Sequence, residues 1–117
     1  MSKAEIEKKL AELMDMVPEC EGLIAADKTG KVIVGQTLTD NMDHGKIAKA
    51  CAAIIKDSNT LGKDIGKGNL KTTTIELDEG FAVLVGSEKS VLIAFAGSDG
   101  MASIGLLKRN LISISKL

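Results

Sequence analysis

Four short stretches of this chain carry residue types that could do chemistry. Residues 62–69, GKDIGKGN, set Gly62, Gly66 and Gly68 around Lys63 and Lys67 in the manner of a phosphate-cradling loop. A working loop of that kind needs four residues between its first glycine and a Gly-Lys-Ser/Thr that opens a helix after a strand. Here three residues intervene, Gly68 stands where the hydroxyl residue belongs, and the stretch follows a helical pattern. His44, the sole histidine, lies near Asp40 and Asp43 in the chain and offers one corner of a metal site. Metal sites draw on more ligands than that, and a helix-entry loop accounts for all three residues. Ser98, Asp99 and Gly100 have neither a base nor an oxyanion-hole pattern beside them, and read as the cap of a helix. Cys20 and Cys51 are far apart and outside metal-ligand or redox spacing, as expected of two buried thiols in a reducing compartment. No catalytic residue, cofactor or metal is expected.

Composition narrows the partners. The chain has 117 residues, enough for one domain with a real core, and a net charge of -1 with both signs interspersed. Arg109 is its only arginine, Trp and Tyr are absent, and Phe81 and Phe95 are the sole aromatics. Base stacking and bidentate guanine readout use those missing types, so no nucleic-acid partner is expected. The first residues are those of a charged helix, and no apolar run approaches the ~20 residues of a membrane span. A cytoplasmic location without membrane insertion is expected.

The elements follow from periodicity. Ser2 and Glu5 form a capping box, and Ile6, Leu10, Leu13, Met14 and Val17 recur at helical spacing until Pro18, predicting a helix over residues 3–16. Residues 22–27 and 31–36 are short apolar runs joined by Lys28, Thr29 and Gly30, a hairpin. Residues 45–63 are helical, with Asp43 placed to cap the N-terminus and Gly62, Gly66 and Gly68 to stop the helix. Residues 70–77, 81–86 and 90–97 read as three strands in a meander, the last two apolar enough to be interior. A final helix follows Ser98 and Asp99, with Met101, Ile104, Leu107, Leu111 and Ile114 as its buried stripe. The order α-β-β-α-β-β-β-α predicts an α+β fold, a five-stranded antiparallel sheet with helices on both faces.

The middle helix carries more than one sheet needs. Lys46, Lys49, Lys56, Asp57, Thr60 and Lys63 share one sector, leaving an arc of about 200° almost free of charge. Its bulky edge, Ile47, Ile54 and Leu61, suits a sheet. Its small-residue edge, Gly45, Ala48, Ala52, Ile55, Asn59 and Gly62, suits close approach of another helix axis. That helix could belong to the same chain or to a second copy. The strand of Thr72, Thr73 and Thr74 is the least apolar of the three and is expected at a sheet edge, with Lys71 and Glu76 near its ends and no proline to block pairing. If the helix and this edge belong to one interface between two copies, its residues are Ala48, Ala52, Ile55, Asn59, Gly62, Thr72 and Thr74. Two copies would join sheets and helices about a two-fold axis, burying roughly 1,600 Å².

Two segments resemble a known family. Residues 16–30, MVPECEGLIAADKTG, carry Val17-Pro18, then Gly22 and a short strand ending in Asp27-Lys28-Thr29-Gly30. They are similar to the opening of Roadblock domains, the family of dynein light chains and Ras-like GTPase regulators. Residues 103–109, SIGLLKR, look like that family's last-helix signature. Glu19-Cys20 departs from the glycine that members often carry after the proline. The resemblance spans nearly the whole chain in element order. It implies a homodimer, or a heterodimer with another Roadblock-type chain, with a continuous sheet and the middle helices side by side. It also implies a non-enzymatic scaffold or regulator of a small Ras-like GTPase.

If the chain does stimulate a GTPase, Arg109 is the only arginine that could reach a phosphoryl group, and its place beside Lys108 in a helix suits solvent. Stimulation is then expected to work by holding the GTPase's own loops. The stripe of Lys46, Lys49, Lys56 and Lys63 is either a solvated face or the partner-binding surface. Two other classes stay open: a light-chain-type structural adaptor indifferent to nucleotide, and a small-ligand sensor, for which the interior strands supply almost no polar groups.

Overall fold

The Ser2 hydroxyl oxygen accepts the Glu5 N–H at 3.1 Å and opens helix α1 (Lys3–Met16), in the computed structural model that describes residues 2–87 and 89–117. Strands β1 (Cys20–Ala26) and β2 (Val32–Thr37) follow as a hairpin. In its turn, Asp27 Oδ1 accepts from the Thr29 N–H, the Thr29 hydroxyl and the Lys31 N–H at 2.9, 2.6 and 3.0 Å. Helix α2 (His44–Asp64) starts where Asp43 Oδ1 accepts the Lys46 N–H at 3.1 Å. Strands β3 (Thr72–Leu77), β4 (Gly80–Gly86) and β5 (Val91–Gly97) form the meander, and helix α3 (Ile104–Ser115) closes the chain. Asp43→Ala should cost about 1 kcal/mol in urea denaturation, because it orphans one first-turn donor of the longest helix.

The five strands lie in the order β2-β1-β5-β4-β3, all neighbours antiparallel. The threonine strand is thus an edge, as its polarity requires, and β1, β4 and β5 are interior. Alternation along the strands sends Leu23, Ala25, Phe81, Val83, Val85, Leu92 and Ala94 to one face, where α1 and α3 cover them with Leu10, Leu13, Leu107 and Leu111. Ile24, Ala26, Ala82, Leu84, Val91 and Ile93 face the other way, beneath α2. Covering both faces is what allows β1, β4 and β5 to be almost wholly apolar.

Two expectations are corrected. Ser98 and Asp99 do not cap α3: residues Ser98–Ser103 form a 3-10 turn, α3 begins at Ile104, and neither element has a side-chain cap bond. The turn carries Met101 outward, so the buried stripe of α3 is Leu107, Leu111 and Ile114.

The second correction concerns which face of α2 meets the sheet. Ala48 is 1% exposed and Ile55 7%, both packed with Cys51 against Ile24, Leu84 and Ile93, while Ala52 and Ile47 flank that cluster. The small-residue edge, expected against another helix, lies on the chain's own sheet. The bulky residues Ile54 and Leu61, expected on the sheet, are 37% and 59% exposed. The helix meets Ile24, Leu84 and Ile93 with a row of mixed size, Ala48, Cys51 and Ile55, the small members letting its axis settle close. Glycines help: a Cβ on Gly86 would meet Ile55 Cγ2 at 2.8 Å, and one on Gly30 would meet the Lys49 Cα at 2.8 Å.

Candidate interaction surface

The chemistry-bearing stretches prove to be structural. At the end of α2, Ile65, Gly66, Lys67 and Gly68 donate their N–H groups to the carbonyls of Leu61, Lys63 and Gly62, with Gly66 and Gly68 at φ +72 and +88. Amides that would have to cradle a phosphate are consumed in ending the helix, in a left-handed geometry that favours glycine. His44 Nε2 lies 3.1 Å from Thr37 Oγ1, Asp43 is the helix cap, and no group able to hold a metal ion occurs among the described residues.

The two thiols are free and buried on opposite faces of the sheet, Cys20 with the α1/α3 core and Cys51 with the α2 core. Burial raises Cys20, partly offset by its bonds to the Gly22 and Phe95 carbonyls, and pushes Cys51 up to about 11. The folded chain therefore keeps a Cys51 proton that the unfolded chain releases above the ordinary thiol value of 9.0. This contribution to stability is fully present below pH 9 and is lost as the pH rises through about 11. A disulfide-exchange thiol assay at pH 8 is expected to find both cysteines silent in the native protein and both reactive in denaturant.

What the surface does present is apolar. Ile54 and Leu61 stand seven residues apart on α2, with Ile65, 58% exposed, in line just past the helix end, while Ile47 at the start of the same row is half-buried against the sheet cluster. A seven-residue repeat returns to the same side of a helix after two turns. Lys46, Lys49, Lys56 and Lys63 are all exposed. Helix α2 packs over β1, β2, β4 and β5 and leaves β3 at its margin. On β3, Thr72 is half-buried and Thr74 exposed, paired with Val85 and Val83 on the α1/α3 face. Ile75 and the 62% exposed Leu77 point to the α2 side, opposite Ala82 and Gly80. The exposed residues of α2 and the Ile75 and Leu77 side chains of β3 thus lie on the same face of the sheet, and Thr72 and Thr74 on the other.

Of the expected interface residues, Ala48 and Ile55 are buried within the protomer, and Ala52 flanks the same cluster. Asn59 Oδ1 accepts the Leu70 N–H at 2.7 Å, and the Gly62 position is crowded by the Gly68 carbonyl. Thr72 and Thr74 remain on the open edge. Ile54 and Leu61 are the residues that sequence reasoning set on the wrong partner; their heptad spacing was the available signal. Gly62→Ala is expected to destabilise by about 1–3 kcal/mol in urea denaturation, since a Cβ there would strike the Gly68 carbonyl and backbone cannot rotate aside. In a free helix the same change would stabilise by ~1 kcal/mol, so the sign is diagnostic.

The fold is an antiparallel sheet covered by two helices on one face and one on the other, with β3 as an open edge. The Roadblock/LC7 domain family model matches residues 6–96. The chain belongs to the Roadblock/LC7 family. Its fold is similar to that of Myxococcus xanthus MglB, with TM-score 0.83, 19% identity and coverage of 96% of this chain and 89% of that one. A Roadblock/LC7 domain from Streptomyces avermitilis matches with TM-score 0.78 and 18% identity, over 91% of this chain and 88% of that one. An MglB described with a tetrameric arrangement matches at 0.82 and 14% identity, over 99% of this chain and 91% of its own. No curated protein sequence matches this chain.

Proposed function

We propose that this chain is a non-enzymatic homodimeric scaffold or regulator of a small Ras-like GTPase. The observation that carries the reading is the exposed Ile54 and Leu61 stripe on α2, on the same face of the sheet as Ile75 and Leu77 of the edge strand β3. Paired about a two-fold axis, two β3 strands would continue one sheet through both protomers, with the α2 helices side by side above it. The interface residues are then Ile54 and Leu61 with Thr72, Thr74 and Leu77, in place of the small residues of α2. A second Roadblock-type chain could replace one copy without changing this geometry. No described helix is long and apolar enough to cross a membrane.

The partner is tested by capture. The immobilised dimer, exposed to extract of its native cells loaded with a non-hydrolysable GTP analogue or with GDP, is expected to retain a small GTPase preferentially in the GTP-like state. Equal retention in both, or retention of a non-GTPase partner alone, would favour a light-chain-type adaptor. Arg109 is exposed on α3, on the opposite face of the sheet from α2. Arg109→Ala is therefore expected to leave any stimulated hydrolysis within about tenfold. Loss of the ~10³ or more that an arginine finger supplies, with binding intact, would overturn a loop-ordering mechanism.

A further inference from the structure

The flank of α2 away from Ile54 opens on a cavity of about 410 Å³ between the helix and the tips of the two hairpins. Its floor is Ala52, Ile55 and Val91, and its rim carries Lys28, from the β1–β2 turn, with Lys56 and Lys63 from α2. No carboxylate lines it among the described residues, and Asp27 Oδ1, beside Lys28 in sequence, is taken up by the turn. The one ion pair among the described residues is Lys9 with Glu12 at 3.6 Å, elsewhere on α1. That pair lies in the other sizeable cavity, about 400 Å³ between α1 and α3, which is thereby neutralised. In a chain of net charge -1, the α2 cavity gathers three lysines over an apolar floor, none of them in an ion pair among the described residues.

We infer that this cavity is a docking site for an acidic protein segment, an aliphatic side chain seated on the floor and its flanking carboxylates on the three lysines. This rests on the chain being a protein-interaction module, and it names the chemistry of what the module takes. Lysine ammonium groups on flexible stems suit carboxylates spread along a peptide. A concentrated phosphate is better met by arginine forks or by a helix N-terminus. Neither is present here: Arg109 lies on α3, and the cavity lies along the later half of α2, away from the N–H groups that open it. A two-residue step turns a helix by about 200°, so Lys56 lies across the axis from Ile54. The cavity therefore stays open when α2 pairs with a second copy, giving one site per protomer.

The test uses the full chain, isotope-labelled for NMR, and the peptide acetyl-Glu-Asp-Leu-Asp-Glu-amide. Saturable shifts are expected at the amides of Lys28, Ala52, Lys56, Lys63 and Ser87, weakening with added salt. Lys56→Glu with Lys63→Glu, both exposed positions, is expected to weaken binding at least tenfold with the melting temperature nearly unchanged. The Gln-Asn-Leu-Asn-Gln analogue should leave the spectrum still. Equal shifts from inorganic phosphate at the same concentration, shifts spread over all lysines, or undiminished binding by the double variant would overturn the site. Ile54→Glu with Leu61→Glu should retain peptide binding, since each cavity lies within one protomer. Failure of dimerisation and failure of this site are thus read separately.

Discussion

Replacing Ile54 and Leu61 together by Glu is expected to convert the protein from a dimer to a folded monomer in sedimentation equilibrium. Full burial of a branched aliphatic side chain is worth about 1.5–3 kcal/mol. Ile54 is 37% and Leu61 59% exposed, so only about half of that remains to be gained on pairing. Two side chains on each of two protomers then contribute about 3–6 kcal/mol, and each 1.4 kcal/mol is tenfold in dissociation constant. The affinity of the two copies should fall by at least about a hundredfold, before counting the repulsion of carboxylates brought together across the axis. The protomer itself should keep its helical and sheet signal, because neither side chain belongs to the sheet-facing cluster. The counterpart is Ile55→Glu, one residue on. Its side chain is packed on the sheet, so it should unfold the protomer instead of merely separating copies. If Ile55→Glu yields a folded monomer while the Ile54 and Leu61 pair leaves the dimer intact, the assignment of the two helix faces is wrong.

Phe81→Ala is expected to cost about 3–5 kcal/mol in urea denaturation, the largest loss from any single truncation here. Phe81 is 1% exposed on β4 and projects toward α3, with its ring edge 3.4 Å from where a Cβ on Gly100 would stand. Its neighbour across the sheet is Ala96, too short to fill the space, and the backbone of β4 is held by β3 and β5 on either side. The hole therefore cannot collapse, and most of the cavity cost persists. Against a total of about 5–15 kcal/mol for a domain, such a loss leaves the protein marginal. Phe95, the other aromatic, lies on the opposite face with its ring across Gly22, and is only partly buried. Phe95→Ala should cost less, having solvent already on one side; equal losses at the two positions would contradict the burial described here.

The elements were legible where local chemistry sets them. Ser2 with Glu5 and Asp43 each announce a helix start through an oxygen that one amide needs, and both bonds form. The expected helix over 45–63 becomes His44–Asp64, and the threonine strand takes the edge because an interior strand would have had to bury those hydroxyls. The start of α3 was not legible. Ser98 and Asp99 have the right residue types for a cap, but Gly100 is buried against Ala96, Glu19 and Phe81, and tertiary contact winds the chain into a 3-10 turn first.

Sequence by itself determined the class of this protein: its element order, its two-sided sheet and its family segments. These follow from periodicity and backbone chemistry, which act within a few residues. Only the tertiary structure decided which side of α2 is spent on the protomer. A helical pattern gives the angle between Ile54 and Ile55 but not the shape of what lies beneath. Ile24, Leu84 and Ile93, remote in sequence, fill that space, and the helix meets them with Ala48, Cys51 and Ile55. The same docking brings Lys28 to Lys56 and Lys63 across a gap no local rule spans, and leaves the larger side chains facing outward.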